Sequence, residues 1–270
     1  MAYPRRNGTV YSVLILVCIV GFWLFENFYT PANYSYNDES SSINEFPKEL
    51  LPSSTTGEIV NHSYFSLSYN EPFEQAEWVA YVLDKKHLTY DDRKRPYFIE
   101  DPFVSTKSAD YRNYKGSGYD RGHLVPAGDR RFSLQAYNET FYTSNISPQD
   151  KEFNAGIWND LEQQTRRWAK KYGTLYVYTG GVLESGLEEI GQEDVDVPDS
   201  FYKIIARRKG DKIYSIAFLM ENKPQFVPLR NFVVSVDDIE KITGIDFFSE
   251  LPENKQSAFE SSKNTTGWKF

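Results

Sequence analysis

The 270-residue sequence predicts an α+β fold, and three observations carry that expectation. Residues 201–207 and 212–219 alternate apolar and polar positions on either side of Arg208-Lys209-Gly210-Asp211, the pattern of two strands joined by a hairpin turn. Residues 154–172 instead repeat their apolar positions with helical period, placing Ile157, Leu161, Thr165, Trp168 and Tyr172 on one face. Aromatic residues make up 16% of the chain, mostly Tyr and Phe, which favours a β-rich body.

Taken in order, residues 1–29 combine Arg5 and Arg6 with an almost purely apolar run from 10 to 25, closed by Glu26. The run is shorter than the roughly 20 residues of an ideal spanning helix, though Phe28 and Tyr29 extend it at the interface. It reads as a signal anchor or a signal peptide. No small-x-small cleavage site follows closely, which favours the anchor. Basic residues before the run and acids after it put the N-terminus inside and the remainder outside the cytoplasm, periplasmic or extracellular. Cleavage would make the protein secreted. Residues 30–57 are rich in Ser, Asn and Pro without periodicity, the composition of a disordered tether.

The folded domain is expected over residues 58–253, with 254–270 a polar, frayed tail apart from Trp268. Residues 62–69 alternate as a strand, and 76–83 form a second apolar strand. A strand with a turn at Gly180-Gly181 is expected over 175–183, then an acidic loop over 184–199, and a helix over 236–242. No repeat is visible. The charge of −8 is awkward for a protein that holds nucleic acid, but a site needs local positive charge, not global. The one cysteine, Cys18, lies in the apolar run, so the remainder has no thiol for disulfides or a thiolate metal site.

The chain is organised around residues 114–162. Gly116, Gly118 and Gly122 bracket Asp120, Arg121 and His123, one of only three histidines. Glycine there allows tight turns and close approach of a ligand. A polar segment from Asn145 leads into the helix that opens at Asn154 and carries Glu162 two turns on. Imidazole, guanidinium, amide and carboxylate together are the parts needed to cut a phosphodiester with one hard metal ion. Each has a structural alternative. Asn154 at a helix start is a favoured N-cap, a role that competes with metal ligation for the same oxygen. Glu162 can pair with Arg166 at i,i+4, and Arg121 with Asp120. The 93–95 charge run, Arg93-Lys94-Arg95, reads first as a solvated loop.

The motif Asp120-Arg121-Gly122-His123 with Pro126, Ala127 and Asp129 resembles the DNA/RNA non-specific endonucleases, and so does Ser144-Asn145-Ile146-Ser147-Pro148-Gln149 followed by Asn154, Trp158, Leu161 and Glu162. The resemblance runs from about His62 to Leu251 and leaves out the anchor and tether. It implies a ββα-metal (His-Me finger) nuclease fold with a mainly antiparallel central sheet flanked by helices. It also implies Mg²⁺-dependent hydrolysis of DNA and RNA with 5′-phosphate products, Mn²⁺ substituting. In that reading His123 is the general base, Asn154 the metal ligand, Arg121 a charge at the phosphate and Glu162 an orienter of metal-bound water. Asn145, Asp120 and Arg166 support them, and either Arg93 or Arg95 reaches the scissile phosphate. Arg112, Lys115, Arg130, Arg131, Arg166, Arg167, Lys170 and Lys171 are candidates for a basic groove, with the acids of 184–199 expected elsewhere. The alternatives are a non-catalytic, membrane-anchored nucleic-acid receptor and a phosphodiesterase for smaller substrates. The sequence does not set the oligomeric state.

Overall fold

The computed structural model describes residues 8–29, 46–261, 263 and 265–270. The chain divides into two units, residues 1–32 and 33–270. In the first, helix α1 spans Gly8–Phe28, 21 residues against the 16 of the apolar run. Its segment Val10–Phe28 is long and apolar enough to cross a membrane, with a mean hydropathy of 1.9. At about 1.5 Å per residue such a helix spans about 30 Å, the thickness of a bilayer's hydrocarbon core. The expected tether at 30–45 lies outside the described residues.

The second unit is built on a seven-stranded sheet. Its strands are β1 (Glu58–Asn61), β2 (Ser66–Asn70), β3 (Gln75–Leu83), β6 (Leu175–Gly181), β9 (Ser200–Lys209), β10 (Lys212–Glu221) and β11 (Val233–Val234), in that spatial order and antiparallel at every pairing. The β9–β10 hairpin pairs Lys209 with Lys212 across the expected turn. The single strand expected over 62–69 is instead the second half of the β1–β2 hairpin, because His62 and Phe65 close a turn. β6 passes straight through Gly180-Gly181 without turning, since Gly180 and Gly181 pair with Tyr202 and Phe201. A Cβ on Gly180 would lie 2.3 Å from the Glu77 carbonyl oxygen, which is what the glycine is for. The acidic 184–199 segment is not a plain loop either, as it holds the ribbon β7 (Glu188–Ile190) and β8 (Val195–Val197).

Both faces of the sheet are covered, so β3 reads as a continuous buried run and not as an alternation. Ala76, Val79, Tyr81 and Leu83 point to one layer, where they meet Trp158, Leu161 and Trp168. Trp78, Ala80 and Val82 point to the other and meet Val236, Ile239, Phe247 and Phe248. The first layer carries the ββα unit. Strands β4 (Asp120–His123) and β5 (Ile146–Gln149) pair, and α3 (Lys151–Phe153) continues through a wide π turn at Asn154–Trp158 into α4 (Asn159–Tyr172). A short helix, α2 (Leu134–Glu139), lies between the two strands in sequence. The second layer carries α5 (Val236–Thr243), with its Ser235 capping box and left-handed Gly244 at the end, and α6 (Glu253–Glu260).

Two expected boundaries move. Residues 46–57 belong to the folded body: Phe46 and Leu50 are buried in the second layer, Tyr178 donates to the Leu50 carbonyl at 2.8 Å, and Trp78 donates to that of Ser53 at 2.9 Å. Two apolar anchors sufficed to dock a segment whose average composition looks disordered. The tail is likewise packed. Phe259 of α6 joins the second layer, and the Trp268 indole donates to the Ser215 carbonyl at 3.1 Å while its ring meets Trp168 edge-on at 5.0 Å.

Candidate active site

Gly116 (φ +77°) and Gly118 (φ +96°) adopt left-handed backbone and deliver the chain into β4. In the hairpin, Asp120 faces Gln149, Gly122 faces Ser147 and His123 faces Ile146. A Cβ on Gly122 would lie 2.2–2.5 Å from the buried Gln149 side chain, so the two strands close only over a glycine. Beyond His123 the chain is pinned by Asn145, which is fully buried. Its Oδ1 accepts from Val125 N at 2.8 Å, and its Nδ2 donates to the carbonyls of Val125 (3.1 Å) and Thr140 (2.9 Å). Asn145 thus bonds both amide atoms to backbone and holds the loop after His123.

His123 rests against Phe98 (5.6 Å) and, edge-on, Phe141 (5.0 Å). Its Nε2 is enclosed without a partner. Burial, then the positive charges of Arg95 and Arg121, hold its pKa well below the ordinary 6.5. The imidazole is therefore neutral at neutral pH and able to accept a proton. The other two histidines are structural. His62 bonds Asp101 at 2.8 Å in the core, and His87 completes the capping box of a single turn at Asp84.

The N-cap conflict at Asn154 resolves because Asp150 takes the capping role, accepting from Glu152 N and Phe153 N at 2.9 Å each. The helix begins one turn earlier than expected, and the π turn follows at Asn154, where Gly156 leaves helical geometry (φ −98°, ψ −111°). Such turns often mark functional positions in helices. Freed from capping, Asn154 donates Nδ2–H to Asp120 Oδ2 at 3.1 Å. That bond fixes which way the amide points and leaves Oδ1 as a hard oxygen donor. Asp120 therefore orients Asn154, and nothing in the contacts pairs it with Arg121.

Asp120, Arg121, His123 and Asn154 line one cleft of about 680 Å³, together with Arg93, Arg95, Arg131, Tyr114, Tyr119 and Tyr137. Its only lining carboxylate is Asp120, against four arginines, so the local charge is positive although the chain's is not. Arg93 is committed, donating to the Arg131 carbonyl (2.6 Å) and to Asp91 (3.1 Å). Arg95 and Arg121 instead share the ring of Phe98, at 5.2 and 4.9 Å, and Arg95 hydrogen-bonds to no described residue. Of the two, Arg95 is the one whose guanidinium is left uncommitted in the cleft. The acids of 184–199 stay out of the cleft lining, though Glu188 accepts from the Tyr119 hydroxyl at its rim (2.9 Å).

Glu162 and Arg166 do not line the cleft. Arg166 bonds Glu162 at 3.3 Å and also Asp129, whose other oxygen accepts from Tyr81 at 3.0 Å. Burial pushes Glu162 up to about 7, opposed by Arg166 and by Lys203. Lys203 is the residue the sequence reading missed. It is buried, donates to Thr179 at 2.6 Å and lies 4.8 Å above the Trp158 ring; its place in an alternating strand gave no hint of a role. Of the expected groove residues, only Arg131 reaches the cleft. Arg130 is buried against Tyr81 and donates to the Val82 carbonyl, and Arg112 and Arg167 pair locally with Asp110 and Gln164.

Residues 43–254 match the family model for DNA/RNA non-specific endonucleases. The chain is 36% identical over 213 residues to mitochondrial nuclease EXOG of Xenopus laevis, covering 73% of this chain and 59% of that one. It is 33% identical to human mitochondrial endonuclease G over 222 residues, covering 77% and 74%. The chain thus spans about three fifths of the EXOG relative's length. A solved EndoG in complex with EndoGI superposes with a TM-score of 0.66 at 32% identity, over 73% of this chain and 88% of that one. With the signature residues gathered in one cleft and the match running over most of the folded unit, the chain belongs to the DNA/RNA non-specific endonuclease family.

Proposed function

We propose that this chain is a metal-dependent, sequence-non-specific endonuclease that hydrolyses DNA and RNA phosphodiesters to 5′-phosphate products. The observation that carries the reading is the neutral His123 sharing an arginine-lined cleft with the Asn154 amide that Asp120 orients. The donor set suits a hard cation: one fixed amide oxygen beside a carboxylate is enough for Mg²⁺, which keeps several waters and takes substrate oxygens as well. Asn154 would hold it, and Mn²⁺ would serve in its place. Such an ion, when bound, neutralises charge on the phosphate and the departing 3′ oxygen.

The protein's own part is positioning and proton transfer. His123 takes the proton of the water that attacks phosphorus, and the 3′ oxygen departs in line with it, leaving phosphate on the 5′ side. Arg95 and Arg121, steadied on Phe98, offset the negative charge that builds on the non-bridging oxygens. Glu162 acts from behind through Arg166 and Asp129, fixing the loop that follows β4. The cleft's charged lining, four arginines, suits the phosphate backbone common to all sequences, in keeping with low sequence specificity.

Helix α1 would anchor the domain to a membrane on the side away from the cytoplasm, periplasmic or extracellular. Several relatives carry mitochondrial names, which makes a mitochondrial membrane the second address. The test of function incubates the chain with supercoiled plasmid and with RNA in Mg²⁺, against EDTA and His123→Ala controls. Cleavage of both polymers, lost in each control, is expected. Binding without cleavage by folded protein in several divalent metals would favour a nucleic-acid receptor instead, and cleavage of dinucleotides alone a small-substrate phosphodiesterase.

A further inference from the structure

Among the described residues outside the cleft, Asp237, Glu240 and Glu260 bring one carboxylate oxygen each to within 4.8 Å of one another. Asp237 and Glu240 lie one turn apart on α5, and Glu260 is the last residue of α6. Both helices belong to the layer opposite the ββα unit, so the cluster is separated from the nuclease chemistry by the sheet.

Acidic surface groups are common, but Glu260 is not a surface group. Only 4% of it is exposed, and its Oε1 is enclosed with no hydrogen-bond donor. Its neighbours make matters worse. Glu240 and Asp237 each bring a carboxylate oxygen to it, and among the described residues no lysine or arginine pairs with it. The nearest lysine contact in the region, Lys263, goes to Asp238 at 3.8 Å, a carboxylate outside the cluster. Glu240 has a single backbone donor, Phe247 N at 2.9 Å. A buried carboxylate beside two others without a donor is unfavourable unless a proton or a cation joins it.

We propose that Asp237, Glu240 and Glu260 bind a calcium ion that ties α6 to α5. Calcium takes six to eight oxygens at about 2.3–2.6 Å, so two of its ligands can stand up to about 4.6–5.2 Å apart. The cluster already meets that span without rearrangement. Magnesium demands near-ideal octahedral placement at about 2.0–2.1 Å and keeps several of its waters, and it is seldom held by an all-protein carboxylate cage, whereas calcium accepts irregular carboxylate sets. Carboxylates are also the donors calcium prefers, and the exposure of Asp237 leaves room for water to complete the shell. The ion would fasten the C-terminal segment, whose Phe259 and Trp268 close the two layers, onto the body.

The experiment uses the full chain in detergent micelles, stripped with EDTA, with Asn154→Ala in every sample so that the cleft contributes no metal binding. Calcium is titrated by calorimetry, and melting is followed at pH 7.5 with and without it. The expected result is a saturable calcium event and a calcium-dependent rise in melting temperature, with Glu260→Gln weakening the affinity at least tenfold and removing the rise. Asp237→Asn, at an exposed position, should weaken it as well and serves if Glu260→Gln folds poorly. Glu260→Gln made alone should leave Mg²⁺-dependent nuclease turnover unchanged. Wild-type calcium titrations in both variants, or no calcium response in the parent protein, would overturn the proposal. Stabilisation by Glu260→Gln in EDTA together with no calcium response would show that the carboxyl simply holds a proton.

Discussion

The two faces of the central sheet are built from the same strands yet hold opposite kinds of interior. Apart from the carboxylate cluster between α5 and α6, the face under those helices is apolar: Tyr178 and Tyr202 meet Phe247 edge to face, Tyr178 also meets Phe248, Trp78 packs in the same layer, and the polar atoms of these rings are answered by backbone. The face under α4 buries Lys203, Asp129 and Arg130 among its apolar side chains and half-buries the Glu162–Arg166 pair. Buried ion pairs rarely raise stability over an apolar core, because desolvation offsets their attraction. The difference is therefore one of purpose: the apolar face stabilises the sheet, and the polar face holds a loop and a helix in fixed relation so that His123 and Asn154 meet. Substitutions on the two faces should separate accordingly.

The largest effect is expected at His123. His123→Ala removes the proton acceptor and should lower turnover on plasmid and RNA by about 10²–10⁴-fold, with a fall in melting temperature that reflects only the lost packing of the ring on Phe98 and Phe141. Asn154→Ala should do similar damage and abolish the response to added Mg²⁺. An intermediate effect is expected from Asp120→Asn, which keeps the shape but weakens the hold on the Asn154 amide; outer-shell partners of this kind are worth about 10–100-fold in metal affinity or activity. A metal titration of activity checks it. Unchanged half-saturation would mean that Asp120 is merely structural.

On the apolar face the expectation reverses. Phe247→Ala should cost about 3–5 kcal/mol of stability, the usual penalty for a large cavity, while turnover of the folded fraction stays normal. Denaturant unfolding and activity at low temperature measure the two separately. A loss of turnover without a loss of stability would break the division between faces.

How much of this was legible in the sequence follows the same division. The site was readable because its parts are nearly contiguous: Asp120, Arg121 and His123 share a four-residue strand, and Asn154 follows from the partner strand within a few residues. The β9–β10 hairpin was readable from its alternation and turn. What depended on distant partners was not. The Arg131 carbonyl and the Phe98 ring tell Arg93 from Arg95, and Tyr178, Trp78 and Asp246 reveal that Leu50 and Ser53 dock. The capping by Asp150 escaped notice because helical period cannot place the first turn to within a few residues, and that turn decides what Asn154 is free to do.

The smallest expected effect is a shift in pH dependence, and it reports directly on the polar face. A general base works when deprotonated, so kcat/KM falls as pH drops through its pKa. Burial, Arg95 and Arg121 all depress that of His123, so the acid limb should lie below pH 6.5. Arg95→Ala removes one of the two cations and should move the limb upward toward 6.5, besides weakening substrate binding. The stability linkage has a definite sign. The unfolded chain's imidazole takes a proton near pH 6.5 while the folded one resists until lower pH, so the unfolded state holds more protons between those values. Stability credited to neutral His123 is thus present above about pH 6.5 and is lost as pH falls below it. Unfolding of His123→Gln should show less of that decline between pH 6.5 and pH 5, measured in EDTA so that no metal competes. An acid limb that ignores Arg95→Ala would place that arginine away from the imidazole and return the phosphate contact to Arg93.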